Sequence, residues 1–221
     1  MKPLNVPLVR QEKNSVLCGV ASIRMLLAYH GIEANQEAIL KEVKIHKGWG
    51  TFTPQWGIFL MNHGFKVEII TQNPKLFTAK DRGKKKAVLL KVLEERLGIA
   101  DSKTDIAAIK EYITYLKQGG VLTVKIPDVR DIQEEIRSKR PLLAELTSNW
   151  LLGLRRNVNF HFNVITGIDA KYAYVNDPLW HSAGGKKRYP IADYLFALHA
   201  SSYGSPDEGC LMKVIPNSRP S

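Results

Sequence analysis

Residues 11–31 read Q-E-K-N-S-V-L-C-G-V-A-S-I-R-M-L-L-A-Y-H-G, placing Cys18 and Gly19 at the head of a long apolar run with Gln11 seven residues before the cysteine. Val20, Ala21, Ile23, Met25, Leu26, Leu27, Ala28 and Tyr29 cover most of a helix's circumference, and such a helix is buried between other elements. Gly31 ends it. Cys18 falls in the first turn, where unpaired backbone N–H groups and the helix dipole favour an anion. A thiol in such a place loses its proton more easily, and the thiolate is the nucleophile. The plain alternative is a small buried thiol opening a core helix, because free cysteines are among the most buried residues.

A second stretch bears on the choice. Residues 159–178, N-F-H-F-N-V-I-T-G-I-D-A-K-Y-A-Y-V-N-D-P, alternate as two strands around a turn near Gly167–Lys171. A three-residue loop pairing Gly167 with Lys171 sets His161 directly opposite Asp177, with Cβ atoms roughly 5 Å apart. A slip of one residue would send them to opposite faces. A carboxylate beside a histidine fixes the ring's tautomer and stabilises the imidazolium. The plain alternative is a half-buried histidine satisfied by a neighbouring acid, with N-D-P as an ordinary turn. Gln11 joins the set as a side-chain donor that, with the Cys18 N–H, could face the oxygen of a tetrahedral intermediate. One such donor is worth roughly 3–4 kcal/mol.

Composition bounds the rest. The 221 residues, 44% hydrophobic and 24% charged, suit a globular chain of one domain or two lobes around a cleft. Cys18 and Cys210 are too few for a disulfide framework, and there is no C-x-x-C, H-E-x-x-H, P-loop or G-x-G-x-x-G, so neither metal nor cofactor is called for. No signal peptide opens the chain and no apolar run approaches the ~20 residues of a membrane span, so a cytoplasmic protein is expected. The net charge of +11 suits an acidic peptide or protein partner. The densest basic cluster, K-D-R-G-K-K-K at 80–86, lacks interleaved aromatics and reads as a solvated face, so nucleic acid is not indicated.

Periodicity gives helices over 17–30, 35–44, 54–63, 84–97 and 104–118 and a strand over 65–71. Beyond Gly119-Gly120 come strands at 121–126, 141–147, 160–167, 172–177 and Cys210–Ile215, with helices at 131–139 and 191–198. Helices first and sheet later is an α+β order. Gly184-Gly185 reads as a turn.

The stretch at 11–31, H-F-N-V-I-T-G-I-D at 161–169 and Y-V-N-D-P at 174–178 together resemble the bacteriocin-processing (double-glycine leader) cysteine peptidases and their stand-alone relatives, in the papain superfamily. The resemblance extends to G-T-F-T-P-Q-W-G-I-F-L-M-N-H-G-F-K-V-E-I-I at 50–70 and R-P-L-L-A-E-L at 140–146. It implies a papain-like fold, an N-terminal helical lobe against a C-terminal antiparallel sheet lobe with the active-site cleft between. It also implies Cys18 as nucleophile, His161 as general base, Asp177 orienting it and Gln11 at the oxyanion hole of a peptidase working through a thioester. The division expected is a helical lobe over 1–75, a helical insertion over 76–120 beside the core and overhanging the cleft, and a sheet lobe over 121–221. Two other functions share these features: acyl or peptidyl transfer from the same thioester, as in phytochelatin-synthase-like enzymes, and an inactive binding protein with a basic surface.

Overall fold

A computed structural model describes residues 2–153 and 161–217. The first part supplies α1 (Cys18–Tyr29), α2 (Gln36–Glu42), α3 (Thr53–Asn62) and β1 (Phe65–Thr71). Asn35 caps α2 by accepting from Ala38 N at 2.7 Å. Pro54 lies in the first turn of α3, where a missing N–H costs nothing. A 3₁₀ turn at Ala79–Asp81 leads to α4 (Lys86–Ile99) and α5 (Lys103–Lys117), the latter capped by Ser102. Then follow β2 (Val121–Val124), α6 (Val129–Arg137), β3 (Leu142–Leu146), the short α7 (Asn149–Leu152), β4 (His161–Ile168), β5 (Tyr172–Asp177), β6 (Gly185–Pro190), α8 (Ile191–Ser201) and β7 (Cys210–Pro216). Phe160, expected to open β4, lies outside the described residues.

The seven strands form one sheet in the order β2-β1-β7-β3-β4-β5-β6. The fold is α+β, but its sheet is not confined to the C-terminal part. β1, from the first seventy-five residues, sits between β2 and β7, and its pairing with β2 is parallel while the other pairs are antiparallel. One end of the sheet gathers Thr71, Cys210, Glu145, His161, Asp177 and Gly185, each within two residues of register with the next.

Helices cover both faces. On one, α1, α3, α4 and α5 bury Ile23, Met25, Trp56, Leu89 and Tyr112 against Val67, Ile69, Phe162, Val164 and Met212. On the other, α6 and α8 bury Ile132, Ile136, Tyr194 and Leu198 against Leu142, Ala144, Ile165 and Leu211. β4 is therefore buried throughout, its polar His161, Asn163 and Thr166 along with its apolar residues.

The expectation of an appended insertion at 76–120 meets a correction. Tyr112 and Tyr115 of α5 are fully buried in the main core. The Tyr115 hydroxyl donates to Val67 O at 2.8 Å, so it ties α5 to β1. Gly57 and Gly120 make room for its ring, since a Cβ there would come within 2.6 and 2.3 Å of it. The segment is helical as expected, but α5 is keyed into the core.

Candidate active site

Gly19 lets the start of α1 fit beneath its neighbours. A Cβ at Gly19 would lie 2.5 Å from Trp56 Nε1 and 2.7 Å from Thr51 Oγ1, so only glycine lets α3 and its leading loop close over the start of α1. Trp56 Nε1 donates to Thr51 Oγ1 at 2.8 Å, which satisfies a buried donor and fixes the loop. From the same helix Ser22 Oγ donates to Phe162 O at 3.4 Å, holding α1 against β4. Cys18 is thereby set in the first turn of a buried helix, facing the first residue of β4.

That residue is His161. Its Nε2 lies 3.0 Å from both carboxylate oxygens of Asp177, and the two side chains are almost wholly buried. The Cys18 side chain hydrogen-bonds the same imidazole. Burial opposes the charge on His161, but the Asp177 carboxylate and then the Cys18 sulfur outweigh it, and its pKa is raised to about 10. Asp177 Oδ1 also accepts from Leu179 N at 2.9 Å, so backbone holds the carboxylate in place.

The hairpin achieves this pairing by a different register from the one expected. The loop is tighter, with Asp169 N donating to Tyr172 O around Ala170 and Lys171. A bulge between Ile165 and Gly167 then shifts the ladder by one, giving Val164 opposite Asn176. Asp177 falls across from Asn163, a diagonal neighbour of His161 on the same face. Without the bulge, the tighter loop alone would have separated the two faces.

Gln11 is 8% exposed and lines the same cleft. Its Nε2 donates to Ser15 O at 2.8 Å, which leaves the second N–H of that amide for another acceptor, while Oε1 is buried with no hydrogen-bond partner. The cleft, about 190 Å³, is bounded by Gln11, Ser15, Val16, Cys18, the loop Gly48–Thr51, His161, Phe162 and Leu179. No residue of 76–120 lines it, so the expected overhang is absent from its described walls. Among the described residues no three His, Cys, Asp or Glu side chains converge as a metal ion would need.

Gln11, Cys18 and His161 line one cleft, with Asp177 buried against the histidine. A model of the Peptidase_C39-like family matches residues 3–203, a span that holds all four of these side chains. The chain belongs to that family. Among solved structures, a double glycine motif protease from an AMS/PCAT transporter, in complex with its leader peptide, superposes with a TM-score of 0.51 at 16% identity, over 97% of this chain and 94% of that one. A C39-like peptidase from Bacillus anthracis gives a TM-score of 0.47 at 13% identity, over 99% and 100%. No curated protein matches. The first likeness carries the papain-like fold of this C39-like chain, and the family supports cysteine peptidase chemistry in general. Among the described residues no helix is long and apolar enough to cross a membrane.

Sequence reasoning brought Cys18, His161, Asp177 and Gln11 together and missed the cleft's walls. Trp49 and Leu179 are among them. The signal for Trp49 was its flanking pair, Gly48 and Gly50, both of which take positive φ (84° and 79°) to turn the loop toward the cleft.

Proposed function

We propose that the protein is a cysteine peptidase that opens a peptide bond through a thioester on Cys18. The observation that carries this reading is the hydrogen-bonded Cys18–His161 pair in an open cleft, with Asp177 on the ring's Nε2. Asp177 fixes the tautomer and leaves Nδ1 for the sulfur. The thiol proton resides on His161 when the sulfur attacks. Sγ attacks the scissile carbonyl carbon, and the oxygen gathers negative charge against the Gln11 amide N–H and the first turn of α1. His161 gives its proton to the leaving amine as the C–N bond breaks. It then takes a proton from water, whose oxygen displaces the thiol and releases the acid.

The cleft favours small residues beside the scissile bond. It is narrow, with Val16, Trp49, Phe162 and Leu179 as apolar walls. That suits a peptide like the leader bound by the double glycine motif protease, and the net charge of +11 suits an acidic one.

Peptide pools of varied sequence, incubated with the protein and followed by mass spectrometry, test this. Cleaved peptides and an acyl adduct on Cys18 are expected, with Cys18→Ala inert and Asp177→Asn slower by about 10²–10⁴. Products ligated to a second peptide would redirect the reading to acyl transfer. Uncleaved pools, or cleavage that survives Cys18→Ala, would overturn it.

A further inference from the structure

The residues just before the cysteine hold the loop that follows Asp177. Gln11 N donates to Pro178 O at 2.7 Å. The adjacent Arg10 donates from Nη1 to Leu179 O at 2.7 Å and to His181 O at 3.0 Å. Leu179 is also the residue whose N–H holds the Asp177 carboxylate. One dipeptide, Arg10-Gln11, thus grips three carbonyls of the 178–181 segment. The Lys13 ammonium, 5.3 Å over the Trp180 ring, adds a further tie.

Two glycines make the contact possible. A Cβ at Gly184 would lie 2.0 Å from Leu179 O, the oxygen that Arg10 binds. Gly185 has φ +109°, where side chains are strained, and a Cβ there would lie 3.1 Å from Arg10 Nη2. The Gly184-Gly185 pair is therefore more than a turn. It lets the Leu179 carbonyl and the guanidinium close together.

We propose that Arg10, seated on Gly184-Gly185, is a positioning residue that locks Gln11 and the Asp177 loop into one unit. The inference rests on the peptidase reading above. Arg10 does not line the cleft, so its influence on a substrate passes through Gln11 and Leu179. One nitrogen, Nη1, serves both carbonyls from the end of a rigid planar guanidinium, while a lysine ammonium on a flexible stem would hold that point less firmly.

The experiment measures two properties of Arg10→Ala, Arg10→Lys and Gly184→Ala. The acylation burst with 4-nitrophenyl acetate reads the oxyanion donors. The pH profile of Cys18 alkylation by iodoacetamide reads the His161–Asp177 pair. In each variant the burst rate is expected to fall about 10- to 100-fold, as for small displacements of positioned groups. The upper limb of the alkylation profile should move to lower pH, because a loosened carboxylate holds the imidazolium less well. KM should change little. Arg10→Lys keeps the charge, so it tests the rigid guanidinium even if the alanine variant does not fold. A wild-type burst reproduced by a folded Arg10→Lys or Gly184→Ala protein, with an unmoved pH limb, overturns the inference and leaves the peptidase reading intact. No burst in the wild type removes that reading and this inference with it.

Discussion

At the residue scale the site depends on what is missing as much as on what is present. Gly19 carries no chemistry, yet a single methyl there meets the Trp56 indole and the Thr51 hydroxyl. Gly19→Ala should cost roughly 1–3 kcal/mol through overpacking and lower peptidase activity about 10- to 100-fold by moving Cys18. Gly98, inside α4 with nothing within 4 Å of a Cβ, is the control. Gly98→Ala should be neutral or stabilise by up to ~1 kcal/mol, from helix propensity alone. Thermal melts of both variants check the contrast, and equal melting temperatures would contradict it. The sequence showed Cys-Gly opening a helix. It could not show that this glycine answers a tryptophan thirty-seven residues away, because that contact exists only after α3 folds back.

At the element scale, local periodicity placed most helices and strands within a residue or two. What it missed depends on partners. β6, G-K-K-R-Y-P, is a basic sheet-edge strand with no apolar alternation to announce it, recognisable only by its pairing with β5. The hairpin carrying His161 and Asp177 was read in the wrong register but on the right face, because a tighter loop and a bulge offset each other in parity. Residues 76–120 were read as an insertion because the family resemblance did not extend over them, yet α5 turns Tyr112 and Tyr115 inward. Tyr115→Ala should therefore cost about 3–5 kcal/mol, the range for a buried aromatic, and deletion of 76–120 should unfold the chain. Urea denaturation measures the first and far-UV circular dichroism the second. A deletion variant that keeps a cooperative transition would return the segment to the surface.

At the scale of the whole molecule, acids and the histidine at one end of the sheet give stability a common direction with pH. Burial and neighbouring carboxylates push Glu145 well up and Glu208 to about 8, and burial raises Asp207 to about 6. Unfolded carboxyls titrate near ~4, so between those values the native state holds more protons and loses stability as pH rises. His161, raised to about 10, adds stability that is full below ~6.5 and lost through its folded value. Both effects have the same sign, while His30 and His46, lowered by burial, work the other way below ~6.5. The urea midpoint should therefore fall from pH 7 to pH 9, with Glu208→Gln flattening the fall. A midpoint that rises over this range would contradict the burial of these groups. The central claim, that this fold presents Cys18 to His161 as a working nucleophile, has an internal reference in Cys210. That thiol is 1% exposed, pushed up by burial and by Glu145, and engaged with Thr53 Oγ1 and Asp207 O. Iodoacetamide at pH 6, with both cysteines followed by peptide mass spectrometry, measures the difference most directly. The account predicts that Cys18 reacts at least about tenfold faster than Cys210 and that His161→Ala removes the advantage. Equal, slow modification of both cysteines, indifferent to His161→Ala, would make Cys18 a structural thiol and contradict the account.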